Sequence, residues 1–337
     1  MAIAFRAPTF DDSGIRLLKE LRPVRVCSLG TVLSFVAAVL MPRVACADIR
    51  RNPGDTVPLP TQKYVRVISE VDSPVQRAYI KSKDGIYIAA AIRKPKGQGR
   101  FPAIIMFHGA PGGRGIDQLV GWSTGSTGGP VWERFLREGY VVVVADYRGG
   151  DFNATSVPST TVTGTAIDDG LAVVDHVKAL FYVDASRIHL YGVSLGGNLV
   201  LHLISKVPTI KAAVLGAPAP LWFLGITVPT GPPNAEWFAL KPDPKITARN
   251  IAPVKTAILI IAGTADRLLG MDIVLHDALA AAGKSVRMEV YEGGYHDFVL
   301  GPQGQLRPDL PQDLKGEPLF ASALDALEKS VQFVRGQ

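Results

Sequence analysis

Cysteine is almost missing from this chain: of 337 residues only Cys27 and Cys46 are cysteine, and both fall within the first 47. Past Ala47 there is none, so neither a disulfide framework nor a thiolate metal site is open to the remainder. Histidine is scarce too, six in all. No His-x-x-x-His pair or carboxylate cluster stands at ligand spacing, so no metal is expected. The glycine-rich stretches match neither a Walker loop nor a dinucleotide fingerprint, and no cofactor is implied. Strong charge is lacking as well. Half of the formal +6 lies in residues 1–47, which hold six Lys/Arg against three Asp/Glu. The rest gives no reason to expect nucleic acid as a partner. The one extended apolar run, Val26–Met41, is short for a membrane span and is diluted by Gly30 and Ser34, so no stable membrane partner is expected either.

What is present begins with a leader. A basic segment (Arg16, Lys19, Arg22, Arg25) precedes that apolar run, and Ala45-Cys46-Ala47 ends it with small residues. This order predicts a secretory signal over residues 1–47, cleaved after Ala47 to leave Asp48 first and the protein periplasmic or secreted. The alternative is an uncleaved leader that anchors the chain. Acylation at Cys46 is disfavoured, because Arg43 stands where an aliphatic residue is wanted. Residues 48–74 are polar and proline-containing, and are expected to wrap the surface as an N-terminal extension. The remaining length suits one large α/β domain, residues 75–337.

From Val75 the pattern becomes regular. Arg77–Ser82 and Ile86–Arg93 are β-rich runs joined at Asp84-Gly85, a hairpin turn signal. Six buried-strand candidates follow: Ala103–Phe107, Val141–Ala145, Ile188–Val193, Ala212–Leu215, Ala257–Ala262 and Val286–Tyr291. Helical segments alternate with them near Val131–Glu138, Ala166–Leu180, Asn198–Ser205, Met271–Ala282 and Pro318–Val334. Continuous apolar strands alternating with helices predict a mostly parallel, eight-stranded sheet covered on both faces, with the hairpin antiparallel at one edge. That layout resembles the α/β-hydrolase fold. Long loops are expected at Pro111–Pro130, Gly149–Thr165, Ala217–Pro253 and Phe298–Pro318. The third contains a lid-like insertion near 218–253, whose Trp222 and Trp237 either line a pocket or fill the core of the lid.

The sequence YGVSLGG, Tyr191–Gly197, has the form Gly-x-Ser-x-Gly, with an apolar run before it and a helix-like run after it. A strand–tight turn–helix setting lifts a serine Oγ clear of the sheet and aims helix N–H groups at the same place. Ser194 is the candidate nucleophile. A serine hydroxyl needs a base within hydrogen-bond reach, and that base needs a carboxylate to orient it. Asp266 lies in the turn after the strand Ala257–Ala262, and His296 in the loop after Val286–Tyr291, which predicts a Ser194–Asp266–His296 triad. An oxyanion hole is expected from the N–H of Leu195 and that of Gly109 or Ala110, in the loop that opens at His108. Asp168 and Asp169 open a helix and read as surface charges favoured by its dipole. His176 and His202 read as packing or surface residues, and Asp297 is too close to His296 to orient it.

The runs AYIKSKDGIYIAAAIRKPKG, FPAIIMFHGAPGG, VVVVADYRGG, VDASRIHLYGVSLGG, IIAGTADRLL and YEGGYHDF resemble, in order, the catalytic domain of the prolyl oligopeptidase (peptidase S9) family. Dienelactone-hydrolase-like enzymes are close behind. The resemblance implies the triad roles above, with His108 and Tyr147 beside the substrate pocket. It also implies a serine-type peptidase acting on short peptides. Two departures keep the substrate open: residues 48–74 are too few for a β-propeller, and Ala110 stands where His-Gly-Gly-Pro is commoner. The alternative is an esterase of small esters or acylated sugars. Acyl transfer to an alcohol and a catalytically silent binding module are the further readings. The oligomeric state is not legible from these residues.

Overall fold

The computed structural model describes residues 63–65, 73–124, 129–148, 164–226, 241–296, 298–300 and 317–337. The leader at 1–47, Trp237, Asp297 and most of the loops expected at 149–165 and 298–318 lie outside these residues.

β1 (Lys63–Val65) pairs antiparallel with β2 (Val75–Lys81), and β2 with β3 (Tyr87–Arg93). The hairpin turns where expected. Gly85 takes φ 91, Ser82 O accepts its N–H at 2.9 Å, and Asp84 Oδ1 accepts the N–H of Ile86 at 3.2 Å. β1 falls within the segment expected to be a surface extension. Those three residues satisfy part of the open edge of β2 and give the sheet a ninth strand beside the eight expected.

The remaining strands are β4 (Phe101–Phe107), β5 (Val141–Ala145), β6 (Val183–Val193), β7 (Ala212–Gly216), β8 (Ala257–Gly263) and β9 (Val286–Tyr291). Their order, β1-β2-β3-β5-β4-β6-β7-β8-β9, makes the sheet parallel from β5 onward. Strand residues alternate between two cores. In β4, Ala103, Ile105 and Phe107 join one and Ile104 and Met106 the other; in β5, Val141, Val143 and Ala145 oppose Val142 and Val144. Both faces are covered at the centre of the sheet, so β5, β7 and β8 read as unbroken apolar runs.

Helices α1 (Ile116–Thr124), α2 (Gly129–Arg137) and α7 (Glu317–Arg335) supply the second core. Helices α3 (Gly164–Ala179), α4 (Leu195–Lys206), α5 (Pro244–Ile251) and α6 (Leu269–Ala281) supply the first. α1 and α5 fall inside segments expected to be loops. α5 has a legible start, with Pro244 in its first turn and Asp243 Oδ1 accepting the N–H groups of Lys245 and Ile246 at 2.8 and 2.9 Å.

The chain leaves β4 toward β5 on one side and returns to β6 on the other. The strand order thus reverses between β4 and β6, and in open sheets of this type ligands bind outside the carboxyl ends of the strands at such a point. The His108 loop and the Ser194 turn open there.

Candidate active site

Ser194 sits between the last residue of β6 and the first of α4, at φ 53 and ψ −121. Side chains avoid this region, and holding one there costs about 1–3 kcal/mol that the surroundings must offset. Four backbone bonds do so: Ser194 N–H donates to Gly216 O at 3.0 Å, while its carbonyl accepts from Gly197, Asn198 and Ala219. The flanking glycines are demanded by contact. A Cβ on Gly192 would stand 2.5 Å from Gly196 O, and one on Gly196 would stand 2.0 Å from Phe107 O. The backbone of the turn therefore rests directly on the end of β4, which brings the next loop to the serine. A Cβ on Gly109 would lie 3.2 Å from Ser194 Cβ and 3.8 Å from its Oγ.

Asp266 and His296 arrive from two adjacent strand ends. The loops are laced together by Thr264 N–H to Tyr291 O at 2.9 Å, Ala265 N–H to Gly294 O at 3.0 Å and Gly293 N–H to Thr264 Oγ1 at 2.8 Å. That lacing sets His296 Nδ1 2.8 Å from Asp266 Oδ2, and the other carboxylate oxygen accepts Leu268 N–H at 2.9 Å. The Asp266 side chain is 3% exposed and the His296 ring 42%. A buried carboxylate thus holds a ring that remains open to solvent. Among the described hydrogen bonds none joins His296 to Ser194 Oγ.

Of the loop residues, Ala110 is exposed and Gly109 half-buried, beside the serine. His108 and Tyr147, expected at the pocket, are 2% and 1% exposed and lie beneath the loop instead. Their polar atoms are already engaged. His108 Nε2 meets Asp146 Oδ1 at 3.0 Å, and Tyr147 Oη donates to His108 O at 2.7 Å, with the two rings stacked at 4.9 Å. Asp146, within the run VVVVADYRGG but assigned no role there, is the hub. Its carboxylate also accepts the N–H groups of Gly113 at 2.9 Å, Tyr147 at 2.8 Å and Gly115 at 3.2 Å. Burial pushes its pKa up, but the bond and charge of His108 together with the N–H groups of Gly115 and Tyr147 outweigh burial and hold it below the usual carboxylate range. Trp222 is half-buried in the turn after β7 and packs against the first core.

Two further carboxylates depart from expectation. Asp169, read as a surface charge, is fully buried: it accepts Arg148 Nε at 2.8 Å and Nη2 at 2.5 Å, while Arg148 Nη1 reaches Asp84 at 2.5 Å. That clamp joins the end of β5 to α3 and to the hairpin turn. Asp272, in the first turn of α6, is fully buried with neither oxygen hydrogen-bonded. Burial, and then the nearby Asp266 charge, push its pKa well above the usual range. The described residues contain no cluster of three or more His, Cys, Asp or Glu able to hold a metal ion.

Comparison with known proteins identifies the family and the fold. A profile of the dienelactone hydrolase family matches residues 88–309. Acylamino-acid-releasing enzyme 2 of Oryza sativa subsp. japonica is 24% identical over 224 residues, 58% of this chain and 28% of its own. Quorum-quenching protein AidA of Acinetobacter baumannii (strain MDR-ZJ06) is 25% identical over 130 residues, 39% and 40% of the two chains. The chain thus spans well under half the length of these curated relatives. Among solved structures, a Klebsiella pneumoniae protein assigned to the dienelactone hydrolases superposes with TM-score 0.54 at 20% identity, over 78% of this chain and 98% of that one. The metagenomic carboxylesterase EstE1 gives 0.51 at 20% identity, over 80% and 90%. A Bacteroides ovatus protein assigned as a dipeptidyl aminopeptidase IV gives 0.55 at 19% identity, over 79% and 36%. These likenesses establish the α/β-hydrolase fold.

Proposed function

This chain belongs to the dienelactone hydrolase family, and on that premise we propose a serine hydrolase that cleaves small carboxylic esters through an acyl-enzyme. The observation that carries this reading is the Asp266–His296 pair, hydrogen-bonded at 2.8 Å past the ends of β8 and β9, on the same carboxyl side of the parallel sheet as the strained Ser194 turn after β6. With Nδ1 turned to Asp266, the imidazole has Nε2 left to take the proton of Ser194 Oγ. Oγ then attacks the ester carbonyl, and the tetrahedral oxyanion is met by the N–H of Leu195 and an N–H of the Gly109–Ala110 segment. The imidazolium returns the proton to the departing alkoxide, which leaves as the alcohol. Water, deprotonated by His296, adds to the acyl-enzyme, and its collapse frees the acid and restores Ser194. The open Ser194–His296 contact is compatible with this role, because catalytic hydrogen bonds commonly tighten only when substrate is bound.

Hydrolysis of short acylated peptides is the second reading, favoured by the 24% identity over 224 residues to an acylamino-acid-releasing enzyme. A panel of p-nitrophenyl esters and N-acyl peptide anilides separates the two by kcat/KM. Ser194→Ala is expected to lower kcat by at least about 10³-fold on whichever class is turned over, and to abolish fluorophosphonate labelling. Normal turnover by that variant would sink the mechanism. Export completes the proposal, supported by the basic, apolar, small-residue order of residues 1–47. N-terminal sequencing of protein recovered outside the cytoplasm should read from Asp48; a sequence that starts within the leader would refute cleavage at Ala47.

A further inference from the structure

Among the described residues β9 ends the sheet, and no strand pairs with its outer edge. Ser285 O accepts Ile258 N–H at 2.9 Å and Tyr291 O accepts Thr264 N–H at 2.9 Å. By the two-residue alternation of a strand, the odd-numbered backbone groups face β8, and those of Val286, Met288 and Val290 face outward. Val290 is 48% exposed, an unusual value for a valine in the carboxyl half of a strand. Of the five large apolar residues exposed among the described residues, four belong to this end of the molecule: Val290, Ile273 and Val274 of α6, and Leu324 of α7. Apolar strand edges left bare invite pairing.

We propose that this edge is the docking surface for a second copy of the chain, the two β9 strands pairing antiparallel about a two-fold axis at Met288. The charges choose that occupant and that register. With the axis at Met288, residue 287 of one copy stands opposite 289 of the other, so Arg287 faces Glu289 twice across the interface. Both pairs fall at non-hydrogen-bonded positions, where opposed side chains are closest. Met288 exchanges both of its outward backbone bonds with its counterpart, and Val286 lies opposite Val290. Axes at 287 or 289 would oppose Arg to Arg or Glu to Glu, which is destabilising. Axes at 286 or 290 would carry half of each strand past its partner's end. Arg287 can turn toward a partner, being 64% exposed and 3.7 Å from its own Glu289, whose other oxygen holds Lys329 at 2.8 Å. The contact is isologous and closes on itself, so it yields a dimer rather than a fibre.

The test is mass by light scattering and by sedimentation over a wide concentration range, on the wild-type chain and two charge variants. The wild type should pass reversibly from monomer to dimer. Arg287→Glu alone and Glu289→Arg alone should each stay monomeric, because each sets like charges opposite. An equimolar mixture of the two should form heterodimers, since each of the two contacts then sets a glutamate of one variant opposite an arginine of the other. Recovery on mixing also excludes misfolding as the cause of the single-variant loss. A wild type that remains monomeric throughout, a dimer that persists in either variant, or folded variants that fail to pair when mixed would each overturn the proposal.

Discussion

At the residue scale, the candidate triad is legible because each member carries a local signature: a serine between close-packed glycines, and an acid and a histidine just past apolar runs. Asp146 carries the same signature as the acid, standing just past the apolar run of β5, yet the sequence assigns it no role. It follows β5 as one acidic residue among many, and its importance comes from four partners that converge on it from Tyr147, His108, Gly113 and Gly115. Asp146→Asn keeps three of these bonds on Oδ1 but turns an amide N–H₂ toward the N–H of Gly115, a donor against a donor. The loop beside Ser194 should then shift. We expect kcat to fall on the order of 10- to 100-fold, with fluorophosphonate labelling slowed but retained and KM changed less. Unchanged kcat would mean that the loop is held without Asp146. Asp169 was misread for a related reason. Position in a helix's first turns says only that a carboxylate is tolerated there, whereas the guanidinium of Arg148, 21 residues earlier, is what draws it inside.

At the element scale, the long periodic or continuous runs read correctly and the short amphipathic ones did not. α1 carries apolar side chains at Ile116, Leu119 and Val120, one face of a helix, but Gly121 within it and Gly112, Gly113 and Gly115 before it argue for a loop. Burial of Ile116 and Leu119 in the second core overrides that propensity. The elbow is where elements touch most closely, since α4 can follow β6 only if its first turn lies against the end of β4. Gly196→Ala tests that contact. A methyl group 2.0 Å from Phe107 O must push two strands and a helix apart, and we expect a loss on the order of 3 kcal/mol in chemical denaturation. A variant as stable as the wild type would show that the elbow can relax.

For the whole molecule, stability should depend on pH from both sides. Burial, with lesser contributions from nearby Arg and Lys charges, depresses the pKa values of His189 and His202 to about 4. Above pH ~6.5 both rings are neutral in either state. As pH falls the unfolded chain takes up protons first, so stability is lost between about 6.5 and 4. Asp272 acts in the opposite sense. Its folded pKa is raised, so the unfolded chain ionises first and stability falls as pH rises above the ordinary carboxylate value. Melting temperature should therefore decline on both limbs. Asp272→Asn should melt above the wild type at pH 8, with the difference closing by pH 4; a constant difference would show that ionisation of Asp272 does not matter. What the sequence determined by itself was what local pattern can encode: the alternation of strands and helices, the hairpin turn, and three residues in order at strand ends. Tertiary structure alone decided which carboxylates are buried, which loops are tied together, and which strand is left at the edge. Those outcomes rest on contacts between segments far apart in the chain, and no window of sequence contains both partners.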